Sequence, residues 1–140
     1  MTKEQTIKRD WLNRAFYAEK KLNALLYKRE RDKERAQRIT AVFGGNDKGR
    51  TDSRENGTEK LLTILADSEK EYDDYAAEYA RIRHEIEGAI EALDPVGYAI
   101  LSYRHLSYLS MEKIAEKMNY ERSTIHRKYK DSLDKINNFS

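Results

Sequence analysis

Leu101-Ser-Tyr-Arg-His-Leu-Ser-Tyr-Leu-Ser-Met-Glu-Lys-Ile-Ala-Glu-Lys-Met-Asn-Tyr-Glu-Arg-Ser-Thr-Ile-His-Arg-Lys-Tyr-Lys130 is the stretch on which the fold turns. Its apolar residues Met111, Ile114, Ala115 and Met118, then Ile125 and Leu133, recur at helical spacing on either side of a polar break at Asn119. Ser110 suits an N-cap, and Glu112 in the first turn suits the positive end of a helix dipole. Ala115 is small where two helices must cross. Asn119 is among the few non-glycine residues that tolerate a left-handed turn. The pattern therefore predicts two short helices joined by a tight turn. With Ile125 pointing inward, Arg122, Ser123, His126, Arg127 and Lys130 share the outward face of the second. Arginines for guanine edges and phosphates, with small hydroxyls for close approach, suit a helix that enters a DNA major groove.

Asp94-Pro95 reads as N-cap and first helical residue. The helix 95–106 then carries Val96, Ala99, Ile100, Tyr103 and Leu106 and supplies the third helix that such a module needs. Upstream, Leu61, Leu65, Ser68, Tyr72, Tyr75, Tyr79, Ile82, Ile86, Ala89 and Leu93 alternate spacings of 4 and 3. That is a coiled-coil-type seam, and it predicts one helix over 58–93 with Thr58 as N-cap. Residues 4–39 predict another, with Trp11, Ala15, Ala18, Leu22 and Leu25 as its seam. Past Leu26 this seam turns polar at Arg29 and Asp32, so weak packing is expected there. Between the two helices, residues 40–57 hold four of the six glycines and predict a flexible connector. Its glycines match no phosphate-binding loop, because no strand precedes them.

The two long segments are of equal length, roughly 54 Å each at 1.5 Å per residue. An antiparallel hairpin follows, with Ala18 and Leu22 opposite Tyr79 and Tyr75. Leu12, Phe16, Leu26 and Leu62 fall outside its single seam, so a homodimer through the hairpin is expected. The expected fold is all-α: a long coiled-coil-like hairpin over 1–93, then a three-helix helix-turn-helix module over 94–140.

Charge supports this division of labour. The chain of 140 residues has a net charge of +2, but the blocks differ. Residues 1–57 carry a net +6, residues 58–94 a net −7 and residues 95–140 a net +3. Absence of cysteine excludes disulfides, thiolate zinc sites and cysteine nucleophiles. No apolar run approaches a membrane span, and the polar N-terminus lacks a signal peptide's apolar core. The expectation is a cytoplasmic protein of a bacterial host cell with no membrane partner.

The quoted stretch also carries a resemblance. Leu101-Ser-Tyr-Arg-His-Leu, Leu109-Ser-Met-Glu-Lys-Ile-Ala-Glu-Lys-Met, Ser123-Thr-Ile-His-Arg and Ser132-Leu-Asp-Lys-Ile resemble region four of bacterial sigma factors, the module that reads the −35 promoter element. The likeness covers residues 94–137. Asn119 departs from the family's turn glycine, and Lys128 stands where the family keeps an apolar residue, so Tyr129 would supply that packing. The layout of helical N-terminal part and terminal region-four-like module is similar to small phage late-transcription regulators of the ArpU and RinA kind. The resemblance implies a sequence-specific DNA-binding regulator of phage or prophage genes, an activator that contacts RNA polymerase. It lacks the sigma segment that melts the −10 element.

Arg122, Ser123, Thr124, His126, Arg127, Lys128 and Lys130 are thus the candidate contacts to double-stranded DNA. Arg104 would brace the module through an acidic partner or meet DNA. His84, His105 and His126 lie on three different expected helices, so no metal site is expected. Asp73, Asp74, Glu85, Glu87 and Glu91 read as a solvated or ion-paired face, so neither an enzyme nor a cofactor is expected. Tyr72, Tyr75 and Tyr79 could stack bases, but their seam spacing favours core. Two other readings fit the same residues: a small terminase-type DNA-packaging subunit, and a helical adaptor that binds protein only.

Overall fold

The computed structural model describes residues 1–43 and 52–137, and among these all regular structure is α-helical. Helix α1 spans Lys3–Leu12, α2 Arg14–Phe43, α3 Asp52–Ile90, α4 Pro95–His105, α5 Met111–Met118 and α6 Arg122–Asp134. The chain forms two compact units. One joins Met1–Glu19 to Tyr79–Ser140, here the terminal unit; the other is Lys20–Glu78, the hairpin unit. Residues 1–19 and 79–93, expected within the hairpin, belong with the C-terminal helices.

The single helix expected over 4–39 is interrupted at Asn13. Arg14 Nε donates to the Trp11 carbonyl at 3.0 Å, taking an acceptor that a straight helix would use within its own ladder. The same guanidinium lies 4.5 Å from the Trp11 ring centre and pairs with Glu85 at 2.7 Å. Thr2 and Gln5 close the start of α1 as a reciprocal capping box.

The second long helix begins at Asp52, not after a Thr58 cap, and it ends at Ile90 rather than Leu93. Residues 40–43 and 52–57, expected in the connector, are helical. The flexibility expected of the connector's middle, 44–51, lies outside the described residues.

Within the hairpin unit α2 and α3 run antiparallel. Lys28 Nζ meets Glu71 at 3.5 Å, Arg29 lies 4.4 Å over the Tyr72 ring and Lys21 lies 4.5 Å over Tyr75. Expected opposite Leu22, Tyr75 meets the neighbouring residue. Leu61, Ser68, Asp32 and Ala36 are buried. So the seam continues beyond Leu26 with its polar residues inside. Ser68 Oγ donates to the Leu65 carbonyl at 3.1 Å. One Asp32 carboxylate oxygen is buried without a partner among the described residues. Tyr72 and Tyr75 are half-buried platforms for cations of α2 rather than full core.

The core of the terminal unit is mainly apolar. Leu12, Ile86, Ile90, Ile100, Leu101, Ile114, Ile125 and Leu133 are fully buried. Each such side chain stabilises by roughly 1.5–3 kcal/mol relative to exposure. Leu12, placed outside the seam by its spacing, is part of this core. The inward face of α4 is Gly97, Ile100, Leu101 and His105, with Val96, Ala99 and Tyr103 only half-buried.

Candidate nucleic-acid interface

Local chemistry sets the geometry of α5 and α6. Ser110 Oγ accepts from the Lys113 amide at 3.2 Å and starts α5. Asn119 adopts φ 58°, ψ 40° and stops it, and the Tyr120 amide donates back to the Ala115 carbonyl at 3.0 Å. After this left-handed turn Glu121 sits at the N-cap of α6, where its side chain makes no capping hydrogen bond.

Helix α6 is held from three sides. Ile125, Tyr129 and Leu133 form its buried stripe against α4 and α5, and Ile136, just past its end, is buried too. Gly97 permits the close crossing with α4, since a Cβ there would stand 2.8 Å from Ser132 Oγ. His105 Nε2 lies 2.8 Å from the Tyr129 hydroxyl, with the rings stacked at 5.7 Å. Burial, reinforced by the charges of Arg104 and Arg9, pushes His105 down to about 3, so its imidazole is neutral at physiological pH. Burial likewise pushes the Tyr129 hydroxyl up to about 12. Tyr129 therefore supplies the packing that Lys128 does not.

Helix α1 is the third support. Gln5 Nε2 donates to Asp134 Oδ1 at 2.9 Å and to the Lys130 carbonyl at 3.4 Å. Lys8 Nζ donates to the Asp134 carbonyl at 3.4 Å. Both side chains are buried, and nothing in their polar identity marks them as packing residues. Only the return of a hairpin towards its own start hints that residues near Trp11 meet the C-terminal helices.

These supports leave one side of α6 open. Arg122, Ser123, Arg127 and Lys130 are exposed, while Thr124, His126 and Lys128 are half-buried. Lys128 Nζ lies 5.7 Å from the Tyr120 ring centre, so its charge is drawn to the edge of the face. Arg122 pairs with Glu112 of α5 at 3.5 Å, and both side chains are largely exposed, so the contact is weak and easily exchanged. The Glu121 side chain does not engage the first amides of α6. Arginine forks and a small hydroxyl are hydrogen-bond donors suited to phosphate and to guanine edges.

Among the described residues Arg104 pairs with no carboxylate. Its Nη1 donates to the Leu109 carbonyl at 2.9 Å and braces the turn between α4 and α5. That turn has a second anchor, which sequence reasoning missed. Tyr108 has φ 61°, its hydroxyl lies 2.6 Å from that of Tyr79, and Arg83 Nη1 donates to Tyr108 Oη at 3.0 Å and to the Leu106 carbonyl at 2.8 Å. Such a backbone conformation in a tyrosine has no sequence signature; the neighbours impose it. Among the described residues no three His, Asp or Glu side chains converge to hold a metal, and no helix is long and apolar enough to cross a membrane.

Compared with family models, curated proteins and solved structures, the chain matches none of them.

Proposed function

We propose that this chain is a sequence-specific, double-stranded DNA-binding transcriptional regulator that lays α6 in the major groove. One observation carries the reading. Helix α6 is fixed by α1, α4 and α5 along its buried stripe, while Ser123, Arg127 and Lys130, away from that stripe, and Arg122, in the first turn, are exposed. A rigidly held helix with an exposed donor face is what base readout needs, because an arginine reads guanine only when its fork is aimed. Arg122 and Arg127 take bases or phosphates, Lys130 a phosphate, and Ser123 the closest approach. Thr124, His126 and Lys128 flank the contact. With the region-four resemblance, this supports a phage or prophage regulator, an activator with RNA polymerase as its protein partner, in the cytoplasm of a bacterial host.

The test is selection of bound sequences from random duplex DNA with the wild-type chain and the Arg122→Ala/Arg127→Ala double variant. One enriched motif, lost in the variant, is the expected result. Binding without enrichment would instead point to packaging or nonspecific architecture. Absence of binding at any salt concentration would leave a protein-only adaptor.

A further inference from the structure

The hairpin unit bears an apolar groove whose two banks differ in size. On the α2 bank stand Ala36 and Ala41, and on the α3 bank Leu62 and Leu65, around a volume of about 440 Å³. Leu62 is 51% exposed, a large apolar side chain left facing water. Lys33 borders the α2 bank and Glu69 the α3 bank. Among the described residues neither has an ion-pair partner within the chain. The banks also differ in net charge: residues 20–43 carry +5 and residues 52–78 carry −6.

We propose that a second copy of this chain fills this groove, with the two-fold axis running along the helices so that each α2 lies over the partner's α3. Symmetry and chemistry together select this arrangement. A two-fold axis parallel to the helices keeps every residue at its own height and stacks opposite banks. Exposed Ala41, with Ala36 as the nearly covered floor of the groove, then receives the partner's Leu62 and Leu65, and Lys33 faces the partner's Glu69. Every neighbouring helix pair in the resulting four-helix bundle is antiparallel. The other two-fold choice, with the axis across the helices, sets alanine against alanine, leucine against leucine and basic α2 against basic α2. Size and charge both disfavour it. The interface rests on the hairpin unit alone and stands whether or not α6 reads DNA.

Sedimentation of the full chain tests it. The wild type is expected to be a dimer. Lys33→Glu and Glu69→Lys should each weaken association roughly tenfold, because each variant places two like-charge pairs in its own homodimer. Mixing the two variants restores both opposite-charge pairs, so the mixture should recover the wild-type dimer as a heterodimer. Leu62→Glu should give a monomer, and its helical content by circular dichroism should match the wild type, since Leu62 is exposed. A wild-type monomer, a ring of many subunits, a dimer indifferent to Leu62→Glu, or a mixture no tighter than its components would each overturn the proposal.

Discussion

His105 and Tyr129 join α4 to α6 through a 2.8 Å contact in the buried centre of the terminal unit. The ring's other nitrogen, Nδ1, is buried with no partner among the described residues. Among the described residues the imidazole therefore has one hydrogen-bond partner, and burial disfavours its charged form. Tyr129→Phe should cost about 1–3 kcal/mol, the penalty for leaving a buried polar group unsatisfied. Chemical denaturation of the two proteins at neutral pH measures it.

The same pair makes stability depend on pH. His105 titrates at about 3 in the folded chain against an ordinary value of 6.5, so below 6.5 only the unfolded chain takes up the proton. Stability from this group is complete above 6.5 and falls as pH drops from there towards about 3, by up to about 1.4 kcal/mol per pH unit. His105→Gln should flatten this dependence. Urea midpoints for both proteins at pH about 7 and about 5 give the difference, a window above the range where carboxylates begin to protonate.

Two glycines in helices should respond oppositely to alanine. At Gly88 a Cβ would meet nothing within 4 Å, so Gly88→Ala should stabilise α3 by up to about 1 kcal/mol. At Gly97 a Cβ would stand 2.8 Å from Ser132 Oγ and 3.0 Å from Asp94 Oδ1. Gly97→Ala should therefore destabilise by about 1–3 kcal/mol despite alanine's better helix propensity, and Ser132→Ala should relieve part of that. Thermal melts of the variants decide the signs.

Asn119 occupies the left-handed region at φ 58°. Asn119→Gly should leave stability unchanged or raise it, whereas Asn119→Val should cost about 1–2 kcal/mol, because a branched Cβ is strained there. If both variants melt alike, the turn is not what sets the angle between α5 and α6.

On the DNA reading, salt dependence separates the exposed cations. Lys130→Ala should flatten the slope of log affinity against log salt by about 0.9, one phosphate contact on B-form DNA, without changing the selected motif. Glu112→Gln frees Arg122 from its 3.5 Å partner and should tighten binding most at low salt. Fluorescence anisotropy across a salt series reports both.

The helices α5 and α6 were legible in the sequence because three local signals coincide there: Ser110 as a cap, Asn119 as a left-handed stop and an apolar stripe through Ile114 and Ile125. The tyrosine-rich seam of α3 was legible for the same reason of period. Other features depend on partners remote in sequence. Gln5 and Lys8 are ordinary polar residues until Asp134 stands beside them. The spacing of the histidines speaks only to a metal site, and it takes Tyr129, with the packing around it, to make His105 core. At the interruption at Asn13 the Arg14 side chain takes the Trp11 carbonyl, a contact that has no propensity signature. Helix α3 starts before Thr58 because a good cap does not prevent a helix from beginning upstream. For the candidate contacts, spacing did not separate exposed from packed positions: His126, read as outward, is half-buried, as are Thr124 and Lys128.

The bonds from Gln5 and Lys8 to Asp134 have a consequence for biosynthesis. A ribosome delivers α1 first, and the α6 carbonyl and carboxylate that it needs arrive more than a hundred residues later. The hairpin unit, contiguous in sequence, can close while translation continues; the terminal unit cannot, because its two portions flank that hairpin. The Gln5 and Lys8 side chains must then wait in the nascent chain until α6 has emerged. A fragment beginning at Asp94 would emerge without that delay, but it would lack the α1 side chains that hold the base of α6.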